Sequence, residues 1–545
     1  MRKGLCLAVL LLSAAVAHGG TIQVPGDYTL LQAALDAAVS GDTVLVAAGT
    51  YDSLFYPPGA DTARCVAYMK TGVTLLGAGM GQTVIDAQNQ GRGILCYGVS
   101  SGRIEGLTVI NAFSEITGAG IFCTQGSSPT IAGCEVKECG DGGIICTFAS
   151  NPLITDCVIK DNIYKSGGGI AIEDGASPTV VNTLIYRNRA PEAGGVLVRG
   201  AGSSGLFINC VIDSNYLNAS DAPGGGFAVR DGGLTVRNCR VTRNRATGAG
   251  GGFDIRSAGS PVVIDSTIIA DNSTADAFGP GGGLYMELSD LELTFCEITG
   301  NSAPGTDSLN DGGGIFAFLP SSMTMTNCTV ADNSTRPLGR AGGIYCWFAN
   351  PTIEKSILAF NHLKGIHCED STPILSCTDI YGNDNDALCG TDNGGNFSAN
   401  PGFCDRPNGD YTLAGTSPCL PGNHPDSEPC GLIGAYGVGT CAIGVADGSG
   451  AESMIPFDHQ ASPNPFGPST TIRFGMTNAG RASVAIYNIQ GRRVRMFEEG
   501  ELAAGPHQVS WDGRDDSGRA LSSGVYFYRV TENGRGRSGR LVLTR

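Results

Sequence analysis

The fold is decided by Gly167–Asn188, GGGIAIEDGASPTVVNTLIYRN, which is one of ten variations on a single phrase; Gly312–Asn333, GGGIFAFLPSSMTMTNCTVADN, is another. Each copy opens on glycine and an apolar residue and closes on Asn, except the first, where Cys139 stands in its place. The last opening glycine falls at 120, 143, 169, 195, 226, 252, 283, 314, 343 and 365, in steps of 22 to 31 residues. A period in this range signals a solenoid. The residue after that glycine is apolar in every copy (Ile121, Ile144, Ile170, Val196, Phe227 and onward). The residue two further on is apolar or Cys (Cys123, Cys146, Ile172, Val198, Val229). Two apolar columns separated by one variable position make a period of two, hence a strand with alternating faces.

Counting back from the closing Asn gives a second strand, with Val, Ile or Leu three residues before it and Cys, Thr or Ser five before it. Short strands at this period, with no helical stretch between them, predict an all-β parallel β-helix in which like residues stack in columns. Such stacking buries its columns once three coils are present, and ten regular coils are available here.

These repeats resemble the right-handed parallel β-helices of the pectate-lyase-like superfamily, and also the repeats of bacterial surface β-helices. The resemblance spans roughly residues 22–441. It implies the fold but no one activity, since that superfamily hosts lyases, hydrolases, esterases, epimerases and passive adhesins.

Outside the repeats the chain divides into recognisable pieces. Arg2 and Lys3 precede the apolar run Leu5–Val16, so residues 1–17 are expected to be a secretory signal peptide. In residues 18–54 an N-terminal cap is expected, with Leu31, Ala34, Leu35 and Ala38 on one helical face and Gly41 ending the helix. Residues 55–383 are the predicted β-helix, 384–441 its Cys-, Pro- and Gly-rich closure, and 442–460 a linker. In 461–545, period-two strands such as RASVAIYNI and GVYFYRV, punctuated by DGRDDSG, predict a small antiparallel β-sandwich. NPF (464–466), YNIQGRRVR (487–495), WDGRDDSGR (511–519) and SGVYFYR (523–529) resemble the C-terminal sorting domain of type IX secretion cargo and the similar Ig-like domain of the flagellar hook-capping protein. The first likeness implies outer-membrane secretion machinery as a partner and a location that is extracellular or attached to the outer-membrane surface.

The net charge of −16 is unevenly placed: residues 18–460 hold 44 acidic and 21 basic residues, and residues 461–545 hold 7 and 12. So acidic a solenoid argues against nucleic acid as its partner, and after the leader no apolar run reaches membrane-spanning length. Nineteen cysteines follow the leader. Stacked pairs such as Cys123/Cys146, Cys134/Cys157, Cys210/Cys239 and Cys346/Cys368 have parallel Cβ vectors, so they are expected to be buried thiols serving as small hydrophobes. Cys404, Cys419, Cys430 and Cys441, together with Cys389, are the disulfide candidates in the closure, with connectivity open.

The distance from the marker glycine to the Cys/Thr/Ser column stays at 13 to 15 residues, whereas that from the closing Asn to the next glycine runs from 4 to 13, so the extra residues are expected to form a wall beside the glycine-led sheet. Alternation predicts that positions two and four after the marker glycine face solvent. Position four reads Glu173, Arg199, Arg230, Arg256, Glu287, Phe318, Trp347, Glu369; position two includes Asp254, Tyr285, Phe316, Tyr345 and His367. Arginines on successive coils repel by ~1 kcal/mol per neighbour. Acidic sugars would reward the column through bidentate contacts, with the aromatic residues stacking on sugar rings. The plainer reading is a surface ladder neutralised by Glu173, Asp231, Asp254 and Glu287.

Arg199, Arg230, Arg256, Glu287, Tyr285, Phe316, Phe318 and Trp347 are thus the candidate ligand-binding residues. For catalysis, superfamily lyases imply an Arg or Lys base beside calcium-binding carboxylates, making Arg230 or Arg256 near Asp254 the candidates; His367 beside Tyr345 is an acid/base alternative. No cofactor is required by the sequence. Calcium would draw on Asp221, Asp276, Asp307 or Asp311, although Asp beside Gly and Pro is first a turn former. The Asn column is expected to be a hydrogen-bonded ladder without a functional role. The function expected is a secreted or surface-displayed solenoid that binds polysaccharide or cell-surface glycan without catalysis. The alternatives are a polysaccharide lyase or hydrolase acting on acidic glycans, or a passive spacer.

Overall fold

A computed structural model describes all residues but 1–18, 60–62, 115–117, 164–166, 218, 220–221, 275–278, 306–310, 440, 442–458, 463–465, 468, 477–479, 489–491, 503–504, 523, 533–534 and 544–545. The expected leader, most of the linker, and Asp221, Asp276 and Asp307 lie outside the described residues. The ten copies stack coaxially in register: Ile170 pairs with Val196 and Val196 with Phe227, all buried in one continuous core.

Each coil carries three parallel strands where two were legible. After the glycine-led strand Val196–Arg199 comes Ser204–Ile208, and then the Asn-terminated strand Val211–Asp213. Their copies form ladders of 12, 15 and 13 strands, and six two-residue strands after the Asn make a fourth. The unforeseen middle strand has its own buried column, Val180, Phe207, Val236, Ile264 and Leu293. That column is out of phase when counted from the glycine, because the intervening corner varies in length. Counted back from the Cys/Thr/Ser column it falls at a constant three residues.

Corners between strands are made by left-handed residues. In one coil these are Asp231 (φ 54°), Asn238 (50°) and Arg243 (55°), and the same three places recur in the other regular coils. Left-handed backbone costs an L-residue roughly 1–2 kcal/mol, least for Asn and Asp, whose side chains bond locally. The coil repays this through its ladders. Each Asn of the closing column donates Nδ2 to the next Asn and accepts that coil's predecessor, as in Asn188 Nδ2 to Asn215 Oδ1 at 3.0 Å and Asn188 N to the same oxygen at 3.0 Å. The Cys/Thr/Ser column does likewise at the next corner, where Cys210 N donates to Cys239 Sγ at 3.2 Å and Cys239 N to Thr267 Oγ1 at 3.3 Å. A small side chain with an acceptor atom is what that corner demands.

At the N-terminal end the helix Leu31–Ala37 buries Leu31, Ala34 and Leu35 in the core's first layer. At the other end the closing segment folds back over the Asn-terminated sheet: Tyr436 hydroxyl donates to Glu297 Oε2 at 2.7 Å, and Tyr411 hydroxyl to Asp332 Oδ2 at 2.8 Å. Disulfides join Cys368–Cys389, Cys377–Cys430 and Cys404–Cys441. Two expectations need correction. Cys419 is a free buried thiol bonded to Asp379, not a bridge, and Cys368 leaves the stack with Cys346 because the solenoid ends there and Cys389 comes within reach. Cys123, Cys134, Cys146, Cys157, Cys210, Cys239 and Cys346 are buried free thiols, as their parallel Cβ vectors require.

The C-terminal unit is a pair of antiparallel sheets of three and four strands, His459–Ser462 through Arg535–Leu543. Trp511, Phe466, Val484, Ile486 and Leu541 form its core.

Candidate functional site

Register turns the fourth position of the glycine-led strand into a strip along the solenoid: Arg199, Arg230, Arg256, Glu287, Phe318, Trp347 and Glu369 are consecutive neighbours. At ~4.8 Å per coil the strip runs about 29 Å.

The second position is not exposed, contrary to the alternation rule. Asp254, Tyr345, Phe316 and Tyr285 are 0%, 0%, 2% and 6% exposed. The chain returning from each insertion crosses directly above them. Gly250 (φ 70°) and Gly281 (φ 70°) lie so close that a Cβ on either would stand 2.7 Å from Asp254 Cβ or 2.9 Å from Tyr285 Cβ. The insertions therefore roof half of the face. Tyr285 and Phe316 are removed from the set able to touch a ligand, and Phe318 and Trp347 remain partly exposed.

The roof also supplies carboxylates. Glu192 meets Arg199 in a very short contact and lies 3.7 Å from Arg230 Nε, while Glu173 lies 3.6 Å from Arg199. Asp254, fully buried, is shared: Arg256 grips it with Nε and Nη2 at 3.0 and 2.9 Å, and Arg230 Nη2 stands 2.5 Å from Oδ1. The Arg230 contact is out of hydrogen-bond alignment and so is Coulombic. Burial lowers the Arg256 pKa, but Asp254 more than reverses this and leaves it above the ordinary value. The guanidinium also lies 4.7 Å over the Tyr285 ring. The arginine column is thus paired within the fold by Glu173, Asp254 and Glu287, as the plainer reading of the sequence has it, but with Glu192 from the insertion in the place that reading gave to Asp231.

A second cluster sits at the last regular coils. Arg340 spans the buried Asp311 (3.2 Å) and Glu369 (3.1 Å), and Tyr345 hydroxyl donates to Glu369 at 2.6 Å. His367 stacks on Tyr345 at 5.5 Å and meets Lys364 Nζ at 3.0 Å. Burial, then the Lys364 and Arg340 cations, push the His367 imidazole below its ordinary value. Burial raises the Tyr345 phenol, and the bond to Glu369 adds to it. Between the two clusters lie neighbouring rings: Phe318 tilted against Trp347 at 4.8 Å, and Trp347 stacked on Phe348 at 5.9 Å. Phe348, 46% exposed, is a corner residue at φ 53° that sequence reasoning passed over; Phe148 holds the same place in an earlier coil.

Neither cluster suits a base-and-calcium arrangement. Asp254 and Asp311 spend their oxygens on arginines, and Arg256 is held charged, the wrong state for a base. Among the described residues no three His, Cys, Asp or Glu side chains converge to hold a metal. No helix among them is long and apolar enough to cross a membrane.

The family profile described as "Right handed beta helix region" matches residues 83–241, 191–307 and 230–400, which together cover more than half of the chain. The FlgD Ig-like domain profile matches residues 465–536. Basal-body rod modification protein FlgD of Salmonella typhimurium is 32% identical over 105 residues, 19% of this chain and 41% of that protein. The chain therefore spans less than half the length of the curated relatives it matches. Similar solved structures include pectate lyase Pel9A, at 13% identity and TM-score 0.33, covering 75% of this chain and 90% of that one. The A-module of mannuronan C-5 epimerase AlgE6 of Azotobacter vinelandii is similar at 15% identity and TM-score 0.32, covering 70% and 97%.

Proposed function

Because the chain belongs to the right-handed β-helix family and carries a FlgD Ig-like domain near its C-terminal end, we propose that it is a secreted or cell-surface solenoid that binds polysaccharide without cleaving it and is exported by way of that last domain. The observation that carries the reading is the ring array Phe318–Trp347–Phe348 on the unroofed half of the strip. Phe318 and Trp347 lie one coil apart and Phe348 follows in the same coil, so the three rings make one apolar patch on the strip; such a patch suits the C–H faces of sugar rings, and the nearly half-exposed Phe348 is poorly explained by packing.

The absence of cleavage is supported by the pairing of the arginine candidates, since Arg230 and Arg256 both engage Asp254. Export is supported by the apolar leader and by three disulfides, which persist in oxidising compartments.

A glycan array probed with the chain from residue 18 onward tests the binding reading, and retention of at least one polysaccharide, with no new chain ends released, is expected. Failure to retain any glycan would refute it. Deleting residues 461–545 is expected to stop surface appearance; undiminished display of the truncated chain would refute the export assignment.

A further inference from the structure

Resting on the glycan-binding reading, we infer that the ligand is a neutral, hydroxyl-rich polysaccharide and that Glu287, Phe318, Trp347 and Glu369, with Phe348 beside them, form its subsite. These four are consecutive in register, so two rings are bracketed by two carboxylates. Each carboxylate is anchored through Oε2. Glu287 accepts from Tyr285 hydroxyl at 3.0 Å and faces Arg256 at 4.0 Å, and Glu369 accepts from Tyr345 hydroxyl and from Arg340. A fixed carboxylate beside a fixed guanidinium offers acceptor and donor together, the pair that a sugar diol requires. The rings between them meet its C–H face.

Charge decides against an acidic polymer. Along the strip and its roof, Arg199, Arg230, Arg256 and Arg340 face Glu173, Glu192, Asp254, Glu287, Asp311 and Glu369, so the arginine column is already cancelled from within the fold. Beyond the strip, residues 18–460 carry 44 acidic against 21 basic residues, a field that repels a polyanion. A uronate chain would meet acid at both ends of the rings and find no unpaired arginine to reward it.

The corner beside the rings provides an independent sign that they serve a ligand. At the fifth position after the marker glycine four of the ten coils carry a residue suited to left-handed backbone, Asp174, Gly200, Asp231 and Asp370. Three successive coils at the rings carry Leu288 (φ 49°), Leu319 (56°) and Phe348 (53°), with Leu288 47% and Phe348 46% exposed; elsewhere a large apolar residue takes this place once, as Phe148 (φ 48°). Large apolar residues there incur backbone strain without gaining burial, and strain of this kind collects at binding surfaces.

Affinity electrophoresis of the chain from residue 18 onward tests the inference, with galactomannan, xyloglucan or soluble β-glucan in the gel against polygalacturonate, alginate or hyaluronan, at about 50 mM and about 500 mM NaCl. Retardation by at least one neutral polymer, equal at both salt levels, is expected. Trp347→Ala should weaken it about tenfold. Phe348→Asn should also weaken it while raising the melting temperature, because Asn suits the left-handed corner; this variant keeps the test valid if Trp347→Ala does not fold. Retardation only by a uronate polymer, falling with salt, overturns the neutral ligand and leaves glycan binding standing. No retardation by any of the six overturns both. Undiminished retardation of both variants overturns the subsite.

Discussion

Arg256 holds the fully buried carboxylate of Asp254 with two nitrogens, Nε 3.0 Å from Oδ1 and Nη2 2.9 Å from Oδ2, while Arg230 presses on the same group from the preceding coil. Removing the acid would leave two guanidinium groups under the roof without their counter-charge. Asp254→Ala is expected to cost about 3 kcal/mol, the low end for a broken buried pair because Arg256 keeps some contact with water. Urea unfolding checks this, and the Asp254→Ala/Arg256→Ala double variant should lose less than the sum of the single variants.

The closing Asn column should be the costliest place to cut the solenoid. Asn244 Nδ2 donates to Ile212 O (2.9 Å) and Asn272 Oδ1 (3.0 Å), and its Oδ1 accepts from Asn215 N and Nδ2, both at 3.0 Å. Asn244→Ala strands several buried polar groups at once, and each unsatisfied group costs ~1–3 kcal/mol. A loss of about 3 kcal/mol or more is expected in denaturant melts. A substitution at an exposed corner such as Gln125→Asn (φ 56°) should change little or stabilise.

Stability should fall as pH rises through the weakly acidic range, and Asp379 should be a main reason. Burial under the closing segment pushes its carboxyl up to about 7, against the bonds from Ala399 N–H and the Cys419 thiol that favour the anion. Unfolded, the group loses its proton near the ordinary value of 3.8; folded, it keeps the proton to about 7. Between these the native state binds the extra proton, so its contribution is complete below the lower value, declines across the interval and is gone above the upper. The slope is on the order of 1.4 kcal/mol per pH unit before any relaxation of the site. Melting temperatures of wild type and Asp379→Asn at several pH values between these limits check this; the variant should be flatter, and equal slopes would contradict the assignment.

Thiol chemistry should divide the cysteines cleanly. Alkylation under native conditions should leave Cys123, Cys146, Cys210 and the other buried free thiols unlabelled. Alkylation in denaturant without reductant should label them all and spare Cys368, Cys377, Cys389, Cys404, Cys430 and Cys441. The Cys404–Cys441 and Cys377–Cys430 bridges close loops of 37 and 53 residues, so losing either should cost roughly 3–4 kcal/mol, felt at the closure. Peptide mapping by mass spectrometry reads the pairing.

The coaxial stack was legible because a solenoid repeats its constraints: when Ile170 lies over Val196, every coil must supply the same letter at the same place, and the column appears in the sequence. The Asn ladder was legible for the same reason. The middle strand was missed because a corner of variable length broke its phase with the glycine. The exposure of the second position was misread because strand alternation says which face a residue takes but not what else comes to cover that face. The return of the insertions over Asp254 and Tyr285 and the departure of Cys368 to Cys389 depend on contacts between segments that share no period. Periodic contacts leave a record in the spacing of residues, and so the sequence by itself determined the architecture. Contacts made once leave none, and so the tertiary structure alone decided which parts of the strip are roofed, which charges cancel, and which rings remain open to a ligand.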